Sequence, residues 1–171
     1  MALVDRALLG VAVAACLGGL TACEAPAPAP AGQASAPAVL QSPVAQAAGF
    51  DPGPVRTAAQ YLAQPEFASA DPERGRLLSL ACAACHTFGP GQGTLVGPNL
   101  HGVFGRHAGT VAGFDYSPAL AASGLVWTPV SLEAWLTEPM TFVAGTKMAF
   151  TGYRSPADRR DLIAYLLRAT D

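Results

Sequence analysis

The stretch SLACAACHTF, residues 79–88, decides the fold: two cysteines stand two residues apart and a histidine follows the second. A Cys-x-x-Cys pair serves as a redox dithiol, as half of a zinc site, or as a pair of haem attachment points. A redox dithiol opens a helix, usually within a βαβ pattern, whereas Cys82 and Cys85 end a predicted helix with no strand nearby. A structural zinc site needs two further ligands, and only His101 and His107 offer them after the motif.

The haem interpretation needs the histidine directly after the second cysteine, and His86 is in that position. Two thiols at this spacing can add to the two vinyl groups of one porphyrin edge, and the next residue then supplies the proximal imidazole. A thioether opposite a histidine raises the reduction potential of such a haem. Met148 lies in a loop some 60 residues later, long enough to pass around a macrocycle. Met140 follows Pro139 and is interpreted as a surface or packing residue.

Composition excludes several other classes of protein. The chain has 171 residues and a net charge of −2, which does not support a nucleic-acid-binding surface. The apolar fraction of 51% is raised by alanines in the first 48 residues. Four cysteines, two of them in that alanine-rich region, are too few for a disulfide framework.

The N-terminus, residues 1–22, reads as an export signal. Its apolar run is shorter than the roughly 20 residues of a membrane span but suits a signal peptide. LTAC, residues 20–23, resembles a bacterial lipobox, which would place the lipid on Cys23; VAAC at 13–16 is the second candidate. An uncleaved signal anchor and simple secretion are the alternatives. A lipid anchor or an uncleaved signal anchor would hold the domain at the periplasmic face of the bacterial inner membrane, and simple secretion would deliver it to the same side.

Residues 23–70 are predicted to be an Ala/Pro-rich tether. Alternating Ala-Pro favours extended polyproline II and cannot bury a core, and further prolines interrupt the chain up to Pro65. A short helix is possible at 55–63. Such a tether would let the domain swing between partners. The simpler interpretation is that it is a passive spacer.

The remaining residues, 71–171, predict a small all-α domain. An N-cap residue precedes a proline at Asp71-Pro72, Ser117-Pro118, Thr128-Pro129 and Ser155-Pro156. Helices are expected at 72–85, 118–122, 129–137 and 156–169, with an S-x-x-D capping box from Ser155 to Asp158. In the first helix, Leu77, Leu80, Ala81 and Ala84 share an apolar face. The Gly-rich stretch 87–115 predicts no regular structure, which is reasonable in a compact domain if a macrocycle fills the core.

Five motifs in order give the domain a family resemblance. They are CAACHTF, GPNLHGVFGR (97–106), GFDYS (113–117), GTKMAF (145–150) and RRDLIAYL (159–166). Residues 71–171 resemble class I cytochrome c, especially its mitochondrial and cytochrome c2 branch. The resemblance implies a haem-centred helical fold with long loops, preceded here by the Pro/Ala-rich linker.

The resemblance also implies roles for particular residues. Cys82 and Cys85 would carry thioether bonds to one covalent haem c, with His86 and Met148 as the axial ligands of the iron. The Pro98 carbonyl would accept a hydrogen bond from His86. Arg106, Tyr116 and Trp127 would contact the haem propionates, and Phe150 would flank the exposed haem edge. Gly75 and either Tyr165 or Leu162 would form the crossing of the terminal helices.

The chain departs from the family at positions that bear on the potential and on docking. Trp135 stands where a tyrosine is usual, and Leu120 where an asparagine is frequent, which predicts a drier pocket and a higher potential. Lys147 is the only lysine, and residues 71–171 carry eight Arg or Lys against eight Asp or Glu. Electrostatic steering of partners should therefore be weak, and tethering would compensate by raising the effective concentration.

The sequence thus predicts a membrane-tethered monohaem electron carrier, not an enzyme and without a nucleic-acid partner. Its expected partners are membrane redox complexes, namely a quinol–cytochrome c reductase and a terminal oxidase or photosynthetic reaction centre, and it is expected to be monomeric. The rival is a haem-based enzyme or sensor, peroxidase-like, with an open sixth position. A third possibility is a dedicated cytochrome subunit of one oxidase or dehydrogenase complex.

Overall fold

The computed structural model describes residues 49–171. The predicted signal segment, Cys23 and the first part of the predicted tether lie outside these residues. Within them, six α-helices follow one another: α1 (Ala58–Leu62), α2 (Pro72–Ala83), α3 (Pro118–Ala121), α4 (Pro129–Thr137), α5 (Pro139–Phe142) and α6 (Pro156–Ala169). A 3-10 helix at Pro65–Phe67 lies between α1 and α2. The described part of the chain has no β-strand, only an isolated antiparallel bridge between His107 and Val126. The all-α prediction is confirmed, and none of the helices within 49–171 is long and apolar enough to cross a membrane.

The predicted helix starts are confirmed by their caps. The side chains of Asp71, Ser117, Thr128 and Ser155 each accept a hydrogen bond from a backbone N–H in the first turn that follows. The capping box predicted at Ser155 is only half formed, because the Asp158 carboxylate accepts instead from Arg74 on α2, at 2.8 Å from Nε and 2.6 Å from Nη2. Helix α5, which the sequence analysis did not predict, begins at a proline with no side-chain cap.

Helices α2 and α6 cross at a glycine. A Cβ at Gly75 would collide with the backbone carbonyl of Asp161 and would lie 2.8 Å from Cβ of Tyr165. The Asp71 N–H donates to the Asp161 carboxylate at 3.1 Å, which fixes the start of α2 against α6. The crossing that the resemblance implies for Gly75 and Tyr165 is therefore present, and Leu162 is fully buried in the same helix.

The face of α2 that packs inward is the opposite of the one expected. Leu77 and Leu80 are 57% and 59% exposed, and Ala81 and Ala84 are also exposed. The buried or half-buried residues of the helix lie about half a turn away: Gly75, Leu78, Ser79 and Cys82. The inward face contains a glycine and a serine, so hydrophobic spacing alone points to the wrong side.

Residues 49–70, taken from sequence as tether, pack onto the domain. Tyr61 is 3% exposed, and its ring lies 6.3 Å from that of Phe104. The Thr128 hydroxyl at the start of α4 donates to the Pro52 carbonyl at 2.6 Å. The packed region therefore begins well before residue 71. The segment is not an open linker, because it contains α1 and a 3-10 helix at Pro65–Phe67.

Candidate cofactor site

The Cys-x-x-Cys-His motif follows the chain out of α2. Cys82 is in the last turn, and its carbonyl accepts from the N–H groups of Cys85 at 3.0 Å and His86 at 2.9 Å. This tight turn directs Cys82, Cys85 and His86 into the same cavity. Burial raises the pKa of the Cys82 thiol to about 11, so this thiol is neutral at physiological pH. A neutral, partly buried thiol is poorly suited to dithiol redox chemistry, which uses the thiolate.

The cavity has a volume of about 250 Å³ and mostly apolar walls. One end carries polar groups from Arg106 and Tyr116. The loop 146–150 brings Met148 and Phe150 to the same cavity. Ser117, Thr146 and Lys147 also line it. The apolar side chains of the wall come from α3, α4, α6 and the loops: Val103, Leu100, Phe114, Leu120, Trp127, Leu132, Trp135, Leu136 and Leu166.

His86 is held in one orientation by its neighbours. Its Nδ1 lies 2.7 Å from the carbonyl of Pro98. Because a carbonyl only accepts, Nδ1 carries the proton and Nε2 keeps its lone pair. A Cβ at Gly97 would collide with the His86 ring, so only glycine allows the loop to approach this closely. Burial lowers the pKa of His86, and the hydrogen bond to Pro98 opposes this only in part, which favours the neutral imidazole that binds metals.

Asn99 fixes the loop that supports His86, and sequence reasoning did not single it out. Its amide nitrogen donates to the Thr87 hydroxyl at 2.8 Å and to the carbonyls of Gly89 at 3.0 Å and Gln92 at 2.9 Å. Its amide oxygen accepts from the His101 N–H at 2.6 Å. The available signal was its place in the GPNL motif, of which only the proline received a role.

The polar end of the cavity is formed by Arg106 and Tyr116, with Trp127 beside them. The Arg106 guanidinium donates to the carbonyls of His101 at 2.8 Å and Asn99 at 3.0 Å, which holds it in place. Burial lowers the pKa of Arg106 and raises that of Tyr116, so an arginine that still carries its charge faces a neutral phenol. This end is where the acidic groups of an otherwise apolar ligand would find a counter-charge.

The two departures from the family pattern also line the cavity. Trp135 is 4% exposed, and its ring meets that of Trp127 edge to face at a centroid distance of 5.4 Å. Leu120 is 8% exposed. Trp135 and Leu120 therefore place apolar groups in the cavity wall at the two positions where the family commonly has polar side chains.

An ion pair joins the two loops beside the cavity. Lys147 Nζ lies 2.5 Å from the Asp115 carboxylate, and both side chains are exposed. Lys147 directly precedes Met148, and Asp115 directly precedes Tyr116. The pair therefore connects the methionine loop to the loop that supplies the polar end.

The other candidates of the sequence analysis lie elsewhere. Met140 is 60% exposed on α5, which leaves Met148 as the methionine of the cavity within the described residues. His101 and His107 do not line the cavity with the cysteines. Within 49–171, no group of three or more His, Cys, Asp and Glu side chains is arranged to hold a metal ion.

The donors and walls of the cavity fit a largely apolar macrocycle that carries acidic groups near Arg106. Two thiols and an imidazole with a free Nε2 come from one segment, a thioether comes from another, and the walls are mostly apolar, with Arg106 and Tyr116 among the few polar groups. These donors match the combination of histidine, methionine and paired cysteines that holds a c-type haem.

Comparison with known proteins points to the same group. No protein-family model matches the chain. The chain is 46% identical to a cytochrome c of Stellaria longipes over 105 residues, which are 61% of this chain and 97% of the relative. It is 43% identical to a cytochrome c of Cochliobolus lunatus over the same length and shares of each chain. It is 47% identical to a cytochrome c2 of Rhodoblastus acidophilus over 96 residues, which are 56% of this chain and 90% of the relative.

Proposed function

Because the chain belongs to the class I cytochrome c family, we propose that it is a membrane-tethered electron carrier that works between respiratory or photosynthetic complexes. Membership of the family makes it a monohaem electron carrier with one covalently bound haem c. Three points are proposed: which residues hold the haem, that the protein is tethered to the membrane, and which complexes are its partners.

One observation carries the assignment of the haem residues: Cys82, Cys85, His86 and Met148 line one cavity. Cys82 and Cys85 would hold the haem through thioether bonds, and His86 and Met148 would ligate its iron. The haem, when bound, supplies the one-electron couple of its iron. His86 is prepared for its role because the Pro98 carbonyl holds the proton on Nδ1 and leaves Nε2 for the iron.

The other cavity residues position and insulate the haem. Arg106, Tyr116 and Trp127 would meet the propionates, where the guanidinium would supply the counter-charge. Phe150 would flank the haem edge. The mostly apolar wall would exclude water, and the hydrogen-bonded loops would keep His86 and Met148 in place in either oxidation state, so that the reorganisation on electron transfer is small.

The location and partners follow from the chain outside the described residues and from the relatives. We assign residues 1–22 to an export signal, Cys23 to lipid attachment and the Ala/Pro-rich segment after it to a tether at the periplasmic face of the inner membrane. The donor is a quinol–cytochrome c reductase, and the acceptor is a terminal oxidase or a photosynthetic reaction centre. The presence of a cytochrome c2 among the relatives supports a periplasmic location.

Absorption spectra of the protein purified from membranes test this function against a haem enzyme or sensor. The wild-type protein is expected to be low-spin in both oxidation states and to bind no carbon monoxide when reduced, because Met148 occupies the sixth position. Met148→Ala should become high-spin and bind carbon monoxide. Met140→Ala is the matched control and should behave as wild type. Rapid binding of carbon monoxide by the wild-type protein would favour the enzyme or sensor, and stable co-purification with one complex would favour a dedicated subunit.

A further inference from the structure

Helix α2 has a second apolar face that nothing in the described structure covers. Leu77, Leu80, Ala81 and Ala84 follow the spacing i, i+3, i+4 and i+7, which puts them on one side of the helix. Leu77 and Leu80 are 57% and 59% exposed, whereas the opposite face packs toward α6. This spacing is typical of a face that becomes buried, yet within residues 49–171 it faces solvent.

The exposed face continues onto the neighbouring loop. The N–H of Gly97 donates to the Cys85 carbonyl at 2.8 Å, which attaches the loop to the end of α2. In this loop, Leu95 is 56% exposed and Val96 is 79% exposed. Ala81 and Val96 are both exposed and both line the haem cavity. Six residues therefore form an apolar rim on the open side of that cavity: Leu77, Leu80, Ala81, Ala84, Leu95 and Val96.

The rim carries no charge. From residue 77 to residue 105 the sequence contains no Asp, Glu, Lys or Arg. Lys147, which also lines the cavity, is paired with Asp115 at 2.5 Å. A charged surface that docked here would lose its hydration without finding a counter-charge, whereas an apolar surface would gain from burial.

We propose that the apolar rim is the surface on which the redox partner docks, and that the partner presents an uncharged, apolar surface to it. The inference rests on the proposed function, because electrons must enter and leave where the cavity opens. Contiguous exposed apolar patches mark interaction sites, and this one adjoins the cofactor. Hydrophobic contact takes the place of charge attraction in forming the encounter.

Two other occupants fit the rim less well. A lipid surface is bound by faces with Lys or Arg and with Trp or Phe, and the rim has none of these. A stable second copy needs about 20–30 residues from each partner, and six residues fall short of that. The size of the rim suits the small interfaces of transient redox encounters.

Electron-transfer rates of the holoprotein test the proposal. The probes are a purified bacterial quinol–cytochrome c reductase as donor and a purified cytochrome c oxidase as acceptor, both in detergent. Wild type is compared with Leu77→Gln/Leu80→Gln and with Leu95→Gln, none of which lines the cavity. Val130→Gln is the matched control, since Val130 is 50% exposed and belongs to the groove beside Pro52 and Tyr61. Midpoint potential and reduction by ascorbate should be the same in all four proteins.

The double variant should lower the second-order rate constant about tenfold, since burial of two leucine side chains is worth at least 1.4 kcal/mol. Leu95→Gln should lower it less, and Val130→Gln should leave it within about twofold of wild type. The wild-type rate should change less than about threefold between about 10 mM and 0.3 M salt, because the rim carries no charge and the neighbouring charges on α2, Glu73 and Arg76, pair with each other.

Three results would overturn the proposal. The first is a rate that the double variant leaves unchanged or that salt suppresses steeply. The second is binding of the wild-type protein to phosphatidylcholine vesicles that is tighter than that of the double variant, beyond the anchoring that the proposed lipid on Cys23 gives to both. The third is a concentration-dependent dimer that the double variant dissociates. Failure of the wild-type protein to exchange electrons with either complex would instead contradict the proposed function. This outcome is distinguishable from the other three because it is seen in the wild-type protein alone, without any variant.

Discussion

The α2–α6 crossing and the loops around the cavity are held together in different ways. The crossing is made by protein against protein: Gly75 lies directly on the Asp161 backbone, and the Arg74–Asp158 ion pair joins the same helices. The loops at 87–115 and 143–150 contain no helix or strand and surround an apolar cavity. One part of the domain is held by packing of protein against protein, and the other is arranged around the cavity.

This difference means that stability and redox properties should respond to different substitutions. A change in the crossing should lower the free energy of unfolding without altering the haem environment. A change in the loops should alter ligation, ligand access or potential, with smaller effects on unfolding. The four substitutions that follow test this separation.

Gly75→Val should have the largest effect. The new side chain meets the Asp161 carbonyl, which is backbone and cannot turn aside, so the free energy of unfolding should fall by about 3 kcal/mol. Guanidinium unfolding of the holoprotein measures it. Gly93→Val is the matched control, because a Cβ at Gly93 meets nothing within 4 Å. An altered visible spectrum of the folded Gly75→Val protein would contradict the separation, because the crossing would then also affect the haem environment.

Asn99→Ala should have the next largest effect and should act on the loops. It removes one amide that donates to three acceptors and accepts from His101, and should cost about 2 kcal/mol. Hydrogen exchange should accelerate at the N–H of Leu100, which donates to Thr87, and far less within α6. Equal acceleration in α6 would mean that the two regions unfold as one unit.

Trp135→Tyr should lower the midpoint potential. A phenol hydroxyl in the cavity wall adds polarity that favours the oxidised iron, and about 1 kcal/mol corresponds to some tens of millivolts for a one-electron couple. Redox titration measures the change. An unchanged or raised midpoint would mean that the apolar wall does not set the potential in this way.

Asp115→Asn should have the smallest effect on stability. The Lys147–Asp115 pair is exposed, so its loss should cost less than about 1 kcal/mol. Imidazole should nevertheless replace Met148 faster, because the pair connects the methionine loop to its neighbour. Glu73→Gln removes another exposed pair, with Arg76 on α2, and should leave imidazole binding unchanged. An equal rate in both variants would show that the pair does not restrain the loop.

Helix starts could be predicted from sequence because their chemistry is local. A capping side chain and the proline after it act within one turn, and all four predicted caps form. The inward face of α2 could not be predicted in this way. It depends on contact with α6, where a glycine and a serine are needed and leucines are left outside.

The packed part of the predicted tether shows the same limit. Proline spacing at 52–65 suggested an extended linker, whereas the segment contains α1 and the start of a 3-10 helix at Pro65–Phe67. Whether such a segment packs depends on distant residues, here Phe104 for Tyr61 and Thr128 for Pro52. The GPNL motif pointed to Pro98, but the role of Asn99 emerged only from the hydrogen bonds that it makes across the loop.

Mass analysis of one tryptic peptide would settle how the haem is held. Arg76 and Arg106 are consecutive cleavage sites, so trypsin releases residues 77–106 as one peptide that contains Cys82, Cys85 and His86. We predict that this peptide, from protein treated with iodoacetamide under denaturing and reducing conditions, carries the added mass of one haem and no alkylated thiol. A haem-free peptide with two alkylated cysteines would contradict the account, because both thiols would then be free rather than bonded to the cofactor around which half of the domain is arranged.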